Sequence, residues 1–168
     1  MEWTKKQIIE TQGELKKWHG LPHIDRRALE GKGIDCIHLV FQALYASKLI
    51  EPRKLPAYRV RWGLVSPENM MAEGLIKVLF ASRHKATSPE YGDIVIWKAG
   101  KQSNHCGFVG HDMDGGLACW HVMKGGKVHP AAINPIVHKA QELIRLDRAG
   151  WKIDRPDQIK LKDLNERK

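Results

Sequence analysis

A chain of 168 residues, 42% hydrophobic and 28% charged, is long enough to bury a core of its own and needs no disulfide or metal staple. Its formal charge of +9 favours anionic partners (nucleic acid, anionic lipid or an acidic wall polymer), but the positive residues are scattered and do not choose among them. Three cysteines without a CxxC pair exclude a disulfide framework and fit a reducing compartment.

No stretch approaches the roughly 20 apolar residues of a membrane span. The first 20 residues hold no apolar run of signal-peptide length. The expectation is cytoplasmic synthesis, with release by lysis or carriage in a larger particle such as a virion. Thr4 to Trp18 predicts a first helix, with Ile8, Ile9 and Leu15 as apolar positions among Lys and Glu. A loop follows from Gly20 to Gly33. The stretch GKGIDCIHLVFQAL, residues 31–44, then opens a second helix at Ile34 or Asp35. Leu39, Val40, Ala43 and Leu44 recur at three- and four-residue spacing from Cys36, which is one helical face. Pro52 and Pro56 end that region. Ser66-Pro67-Glu68 predicts a further helix through Met70, Leu75 and Val78 to Ser82, from its capping hydroxyl, first-turn proline and acid.

The texture then turns to strands. Ile94 to Trp97, after Gly92-Asp93, is a short β-branched run. Cys106 to Val109 and Leu117 to Val122 predict two more, joined by the Asp- and Gly-rich turn HDMDGG. KGGK at 124–127 is another turn, and Val128 opens a fourth strand. Ala131 to Val137 carries no clear pattern, and Glu142 to Leu146 predicts a last strand. Helices followed by an antiparallel meander make an α+β domain over residues 1–153, with a polar tail at 154–168.

The histidines matter against this layout. A hairpin centred near Met113 sets His105 opposite His121, on one face, with β-carbons roughly 5 Å apart. A slip of one residue would part them. With Cys36 at a helix start they form a Cys–His–His set. A cysteine attacks as thiolate, and a free thiol with a pKa of about 8.5 is only slightly ionised at neutral pH. A helix N-terminus favours the thiolate through unpaired N–H groups and partial positive charge. One imidazole can take the proton and return it to a leaving amine, and a second can fix its tautomer. The backbone N–H of Cys36 is then a natural oxyanion donor.

The other candidates carry less. Cys106 and Cys119 read as core residues, and Cys106 should face away from its neighbour His105. His38, two positions along the helix, points away from Cys36. His19, His84, His111, His129 and His138 read as solvated. A zinc site among His105, Cys106, His111, Cys119 and His121 has the wrong spacing and parity, so no metal or other cofactor is expected. The basic runs at 5–6, 16–17, 26–27 and 160–162 are short and match no nucleic-acid motif, so nucleic acid is not an expected partner.

The order of short motifs resembles the NlpC-type cell-wall endopeptidases, a branch of the papain-like cysteine hydrolases. Trp18-His19-Gly20-Leu21-Pro22-His23 resembles W-x-G-T-P-Y, and Asp35-Cys36-Ile37-His38-Leu39-Val40 resembles D-C-S-G-L-V. Gly92-Asp93-Ile94-Val95 resembles G-D-L-V, and His105-Cys106-Gly107-Phe108-Val109 resembles H-V-G-I-Y. Trp120-His121-Val122, with Gly125-Gly126-Lys127-Val128 after it, resembles the family's third strand, I-H-A, and its turn. The resemblance implies a papain-like fold with Cys36 as nucleophile, His105 as base and acid, and His121 as the orienting residue. It puts Trp18, His23 and Asp35 on the substrate side. It also implies cleavage of an amide in peptidoglycan stem peptides, with phage-tail or lysis proteins as partners. Ile37-His38 stands where the family has Ser-Gly, and His23 where it has tyrosine. Amide or acyl chemistry on another substrate, and a non-catalytic tail domain, stay open as alternatives.

Overall fold

Thr4 caps the first helix, α1 (Lys5–Trp18), through a reciprocal box. Its hydroxyl accepts from the Gln7 N–H at 3.2 Å, and the Gln7 side chain accepts from the Thr4 N–H at 3.0 Å. The chain, described by a computed structural model, is followed over residues 2–52, 75–76, 79, 81–84, 88–99, 103–134, 136 and 140–146. The inward stripe of α1 is Thr11, Leu15 and Trp18, spaced four and three apart, while Ile9 is 62% exposed. Thr11 is tolerated inside because its hydroxyl donates to the Ala43 carbonyl at 3.3 Å.

The expected loop before the second helix contains a two-residue hairpin, β1 (Ala28–Leu29) with β2 (Gly33–Ile34). Pro22 to Ile24 lies against it: Ile34 N–H donates to Pro22 O at 3.1 Å, and Ile24 N–H to Ile34 O at 3.3 Å. Gly33 makes this approach possible. It holds φ 154°, and a β-carbon there would collide with the Pro22 carbonyl and the Ile24 side chain.

The second helix, α2 (Cys36–Ala46), starts where Asp35 caps it, accepting from the His38 N–H at 2.8 Å. Leu39, Val40, Ala43 and Leu44 are fully buried, as their spacing predicts. The predicted start at Ser66 lies outside the described residues. Leu75, Ile76 and Leu79 are helical, but the strand β3 (Ala81–His84) has begun before Ser82, so that helix ends earlier than predicted.

The remaining strands are β4 (Ile94–Ala99), β5 (Ser103–His111), β6 (Leu117–His121), β7 (His129–Ala132) and β8 (Ala140–Leu146). They form one antiparallel sheet with β3, in the order β3-β8-β4-β5-β6-β7. The architecture is α+β. The last strand does not extend the meander but inserts beside β4. Arg145 of β8 locks it there, donating to the Asp93 carboxylate from Nε at 2.8 Å and Nη2 at 2.7 Å. The helices cover one face, where Leu15, Leu39, Phe108, Trp120 and Ile144 form the main core. The other face carries a smaller cluster of Val95, Trp97, Val109, Cys119, Ile136 and Leu143.

Candidate active site

Cys36 is the first residue of α2 and is partly exposed, with its side chain packed against the main core. Two neighbours on β5 reach it. The Cys36 thiol is held well below its ordinary range, first by a hydrogen bond with Cys106 and then by a hydrogen bond and charge from His105. Burial and the Asp35 charge oppose that shift without reversing it. The Cys106 thiol is pushed well up by the same hydrogen bond, by burial and by the Cys36 charge. Of the two thiols, Cys36 is therefore the readier to ionise.

His105 and His121 are each only 6% exposed, and His105 Nε2 lies 3.0 Å from His121 Nδ1. Burial, then the charges of His105 and His129, push His121 down to about 3. His121 is thus neutral, and a neutral ring accepts at one nitrogen. This contact engages Nε2 of His105 and leaves Nδ1 as the other polar atom of that ring. Trp97 walls in both rings edge-on, with centroids 4.5 Å from His105 at 84° and 5.3 Å from His121 at 76°.

The two histidines share a face, but not as a directly opposed pair. The β5–β6 ladder pairs Phe108 with Trp120 and His111 with Leu117, so the hairpin is centred on Asp114 rather than Met113. The cause is the turn itself. Asp112 Oδ1 accepts from the Asp114 N–H at 2.9 Å and the Gly116 N–H at 2.8 Å, and its backbone N–H closes on Gly116 O. The register moves by two, His121 comes beside Gly107, and parity keeps both rings on one face. A β-carbon at Gly107 would stand 3.2 Å from His121 Cβ and would overlap the Cys119 sulfur. The ladder stops at Phe108, so residues 105 and 106 have no registered β6 partner. Along that uncovered flank Cys36 of α2 is under the influence of residues from both strand faces, since both Cys106 and His105 lower its pKa.

The residues expected on the substrate side have mixed fates. Trp18 is buried in the core and its Nε1–H is taken by Glu14 at 2.8 Å. Asp35 is buried and holds the helix cap, with His38 Nδ1 also 3.0 Å from its carboxylate. Both side chains serve the fold beside the thiol. His23 is half-buried and is fixed near the head of α2: its N–H donates to Gly126 O at 3.1 Å, it bridges Ile34, and Nδ1 lies 3.6 Å from Asp25. His38 does not face the thiol but lies over the cap.

Three neighbours were not singled out by the sequence reading. Trp97 pairs with His105 across β4 and β5, which the weakly marked 100–102 connection does not announce. Cys106 should have faced away from a site built on His105, and it does, except at the open end of the ladder. His129 had a partial signal: reflecting His121 through the middle of the KGGK turn lands on Pro130, and the actual pairing, centred on Gly125, brings His129 there instead. His121 and His129 are directly paired, with ring centroids 4.6 Å apart, and His129 Nδ1 donates to Lys127 O at 3.0 Å. Among the described residues, no group of three His, Cys, Asp or Glu side chains is arranged to hold a metal ion, and no helix is long and apolar enough to cross a membrane.

No family model matches the chain, and no curated protein matches it. Among solved structures, a Staphylococcus aureus protein described as similar to lipoprotein, of the NLP/P60 family, matches with a TM-score of 0.55 at 11% identity. The match covers 87% of this chain and 43% of that protein. At this identity the likeness is one of fold: the α+β, papain-like arrangement of helices on an antiparallel sheet. The chain spans less than half the length of the protein it matches.

Proposed function

We propose that this chain is a cysteine hydrolase that cleaves an amide bond in the peptide stems of peptidoglycan. The observation that carries the proposal is a cysteine at the first position of α2, packed against the sheet in which His105 Nε2 lies 3.0 Å from the Nδ1 of a second buried imidazole. The fold shared with an NLP/P60 protein supports the choice of substrate class, and the positive charge suits an anionic wall polymer.

In the proposed reaction the Cys36 thiolate attacks the carbonyl carbon. The oxygen gathers charge beside the N–H groups at the head of α2, where the helix dipole favours an anion. His105, protonated at Nδ1, gives that proton to the departing amine, which leaves a thioester. The neutral ring then takes a proton from water, and the hydroxide clears the acyl group and restores the thiolate. His121 is a positioning residue. By accepting from Nε2 it fixes the ring of His105 and stabilises the imidazolium form. In this reading the ring of His23, whose backbone is fixed beside Ile34 two residues before Cys36, donates to the substrate.

The test is incubation of the protein with purified peptidoglycan, followed by mass analysis of the fragments beside Cys36→Ala. New termini at one amide, absent from the variant, are expected. Identical fragment patterns from both proteins refute the hydrolase.

A further inference from the structure

The mechanism above uses the head of α2 and leaves the exposed turns around it without a task. Residues 20–23 rivet two of these turns together. On one side Pro22 O accepts from the Ile34 N–H at 3.1 Å, two residues before Cys36. On the other, Val128 N–H donates to Leu21 O at 2.8 Å, Gly20 N–H to Val128 O at 2.8 Å and His23 N–H to Gly126 O at 3.1 Å, while Pro22 bridges Lys127. The first turn runs on as Asp25-Arg26-Arg27, and Arg27 O accepts from the N–H of Asp35, the residue before Cys36, at 3.1 Å. The second is the KGGK turn that follows β6 and its His121. The backbone therefore gathers Arg26 and Arg27 from one turn, and Lys124 and Lys127 from another, around the start of α2.

All four cations are exposed, and among the described residues none of them forms an ion pair. Asp25 is the one acid in the two turns, and it lies 3.6 Å from His23 Nδ1. At the neighbouring tip of the β1–β2 hairpin Glu30 and Lys32 cancel. The rim is therefore electropositive, and nothing in the fold uses its charge. Arg26 also holds φ 55°, a left-handed conformation that glycine adopts freely and a side chain resists.

We infer that this rim grips the carboxylates of neighbouring, uncut peptide stems, so that the protein works on the polymeric wall and not on released stem peptides. The identity of the polymer rests on the hydrolase reading; the grip rests on the two turns. A single carboxylate is held best by an enclosed, convergent donor set. Four exposed cations on separate turns suit instead a strand with repeated negative charges, each contact weak and the sum appreciable. Neither turn contains Phe, Tyr or Trp, so the rim has no platform on which bases would stack. A wall strand carries one stem after another, so a stem lying at Cys36 has charged neighbours on both sides.

The test reads binding and not cleavage. The full chain carrying Cys36→Ala is sedimented with insoluble peptidoglycan, native or with its carboxylates amidated by carbodiimide. Binding to the native wall should weaken about tenfold from about 0.05 M to about 0.5 M salt, where screening shortens the reach of charge. Amidation should weaken it by a similar factor at low salt. Adding Arg26→Gly with Arg27→Gln should cost about 2- to 10-fold, as two exposed pairs would. Because Arg26→Gly relaxes the backbone, that loss is not one of folding. Lys124→Gln with Lys127→Gln should do the same. Lys5→Gln with Lys6→Gln removes equal charge from the far end of α1, about 20 Å along the helix, and should change little. In the active chain the rim variants should raise KM on the polymer and leave kcat as it was. Binding that ignores salt or amidation, an equal loss from the α1 variant, or tighter binding to anionic phospholipid vesicles or to a single-stranded oligonucleotide than to the wall overturns the inference. Charge-dependent binding without cleavage refutes the hydrolase only; cleavage by a chain whose binding ignores charge refutes the rim only.

Discussion

His105 and Cys106 are consecutive on β5 and sit in different surroundings. Cys106 points into the apolar layer beneath α2, among residues such as Phe108 and Trp120, where packing is the main demand. His105 points to the other face, against Trp97 and His121, where a hydrogen bond and a protonation state are at stake as well. Strand parity keeps these two environments apart along most of β5. They meet only where the β6 ladder has ended, and Cys36 is held there by both. The contrast teaches that the site is built at a boundary. One face supplies packing and a buried proton; the other supplies a base.

The strongest way to break that picture is to remove the base. His105→Ala should reduce peptidoglycan cleavage to the level of Cys36→Ala, because residues that act as one unit fail together. It should also raise the pH midpoint of Cys36 alkylation and slow alkylation at pH 7 by about tenfold or more. Cys106→Ala should raise that midpoint too, since its hydrogen bond is the larger cause of the depressed thiol. An alkylation curve unmoved by either change would dissolve the proposed junction between the faces. Next in size is His121. His121→Leu removes the acceptor for His105 Nε2 and should lower kcat by about 10- to 100-fold with little change in KM. His121→Asn offers a carbonyl oxygen to the same proton and should recover much of that loss. Equal activities in the two variants would show that the bond at 3.0 Å does not orient the base.

A smaller, mixed effect tests the space between the strands. Gly107→Ala puts a methyl group where the Cys119 sulfur and His121 Cβ already are. Overpacking of this kind costs about 1–3 kcal/mol, read as a lowered urea midpoint. Because the methyl also presses on His121, cleavage should fall further than the loss of folded protein explains. Activity that tracks stability alone would separate Gly107 from the site.

The head of α2 was legible because everything that makes it is contiguous: a glycine that permits close approach, an aspartate that caps, a cysteine at the first position, and an apolar stripe behind. The strands of the meander were legible for the same reason, since each carries its own β-branched run and turn. The pairing between strands depends on how a turn closes. The side chain of Asp112 shifted the hairpin by one residue at its centre, so the two histidines became diagonal neighbours. The insertion of β8 beside β4 depends on an ion pair between residues 52 apart, Asp93 and Arg145, which no local pattern announces. Trp18 and Asp35 have roles in the fold that the motif alone did not announce: the Trp18 N–H donates to Glu14, and Asp35 accepts from the N–H of His38.

The finest test of the buried imidazole face is its response to acid. His121 ionises at about 3 in the folded protein against an ordinary 6.5, first because burial penalises the charged ring, then because His105 and His129 stand close. In the unfolded chain the same ring takes up its proton near 6.5. Between those values the unfolded state binds a proton that the folded state excludes, so acid favours unfolding. The contribution of His121 to stability is therefore whole above pH 6.5 and is lost as the pH falls toward 3. Urea midpoints measured from pH 7 to pH 4 should decline, and His121→Asn should decline less steeply, by up to the uptake of one proton. Trp97→Ala admits water to both rings and should move the His121 midpoint up toward 6.5, most of the way if burial is the main cause. His129→Gln removes only the last of the three causes and should move it least. A larger shift from His129→Gln than from Trp97→Ala would reverse that order, and would mean that charge rather than burial keeps the second imidazole neutral.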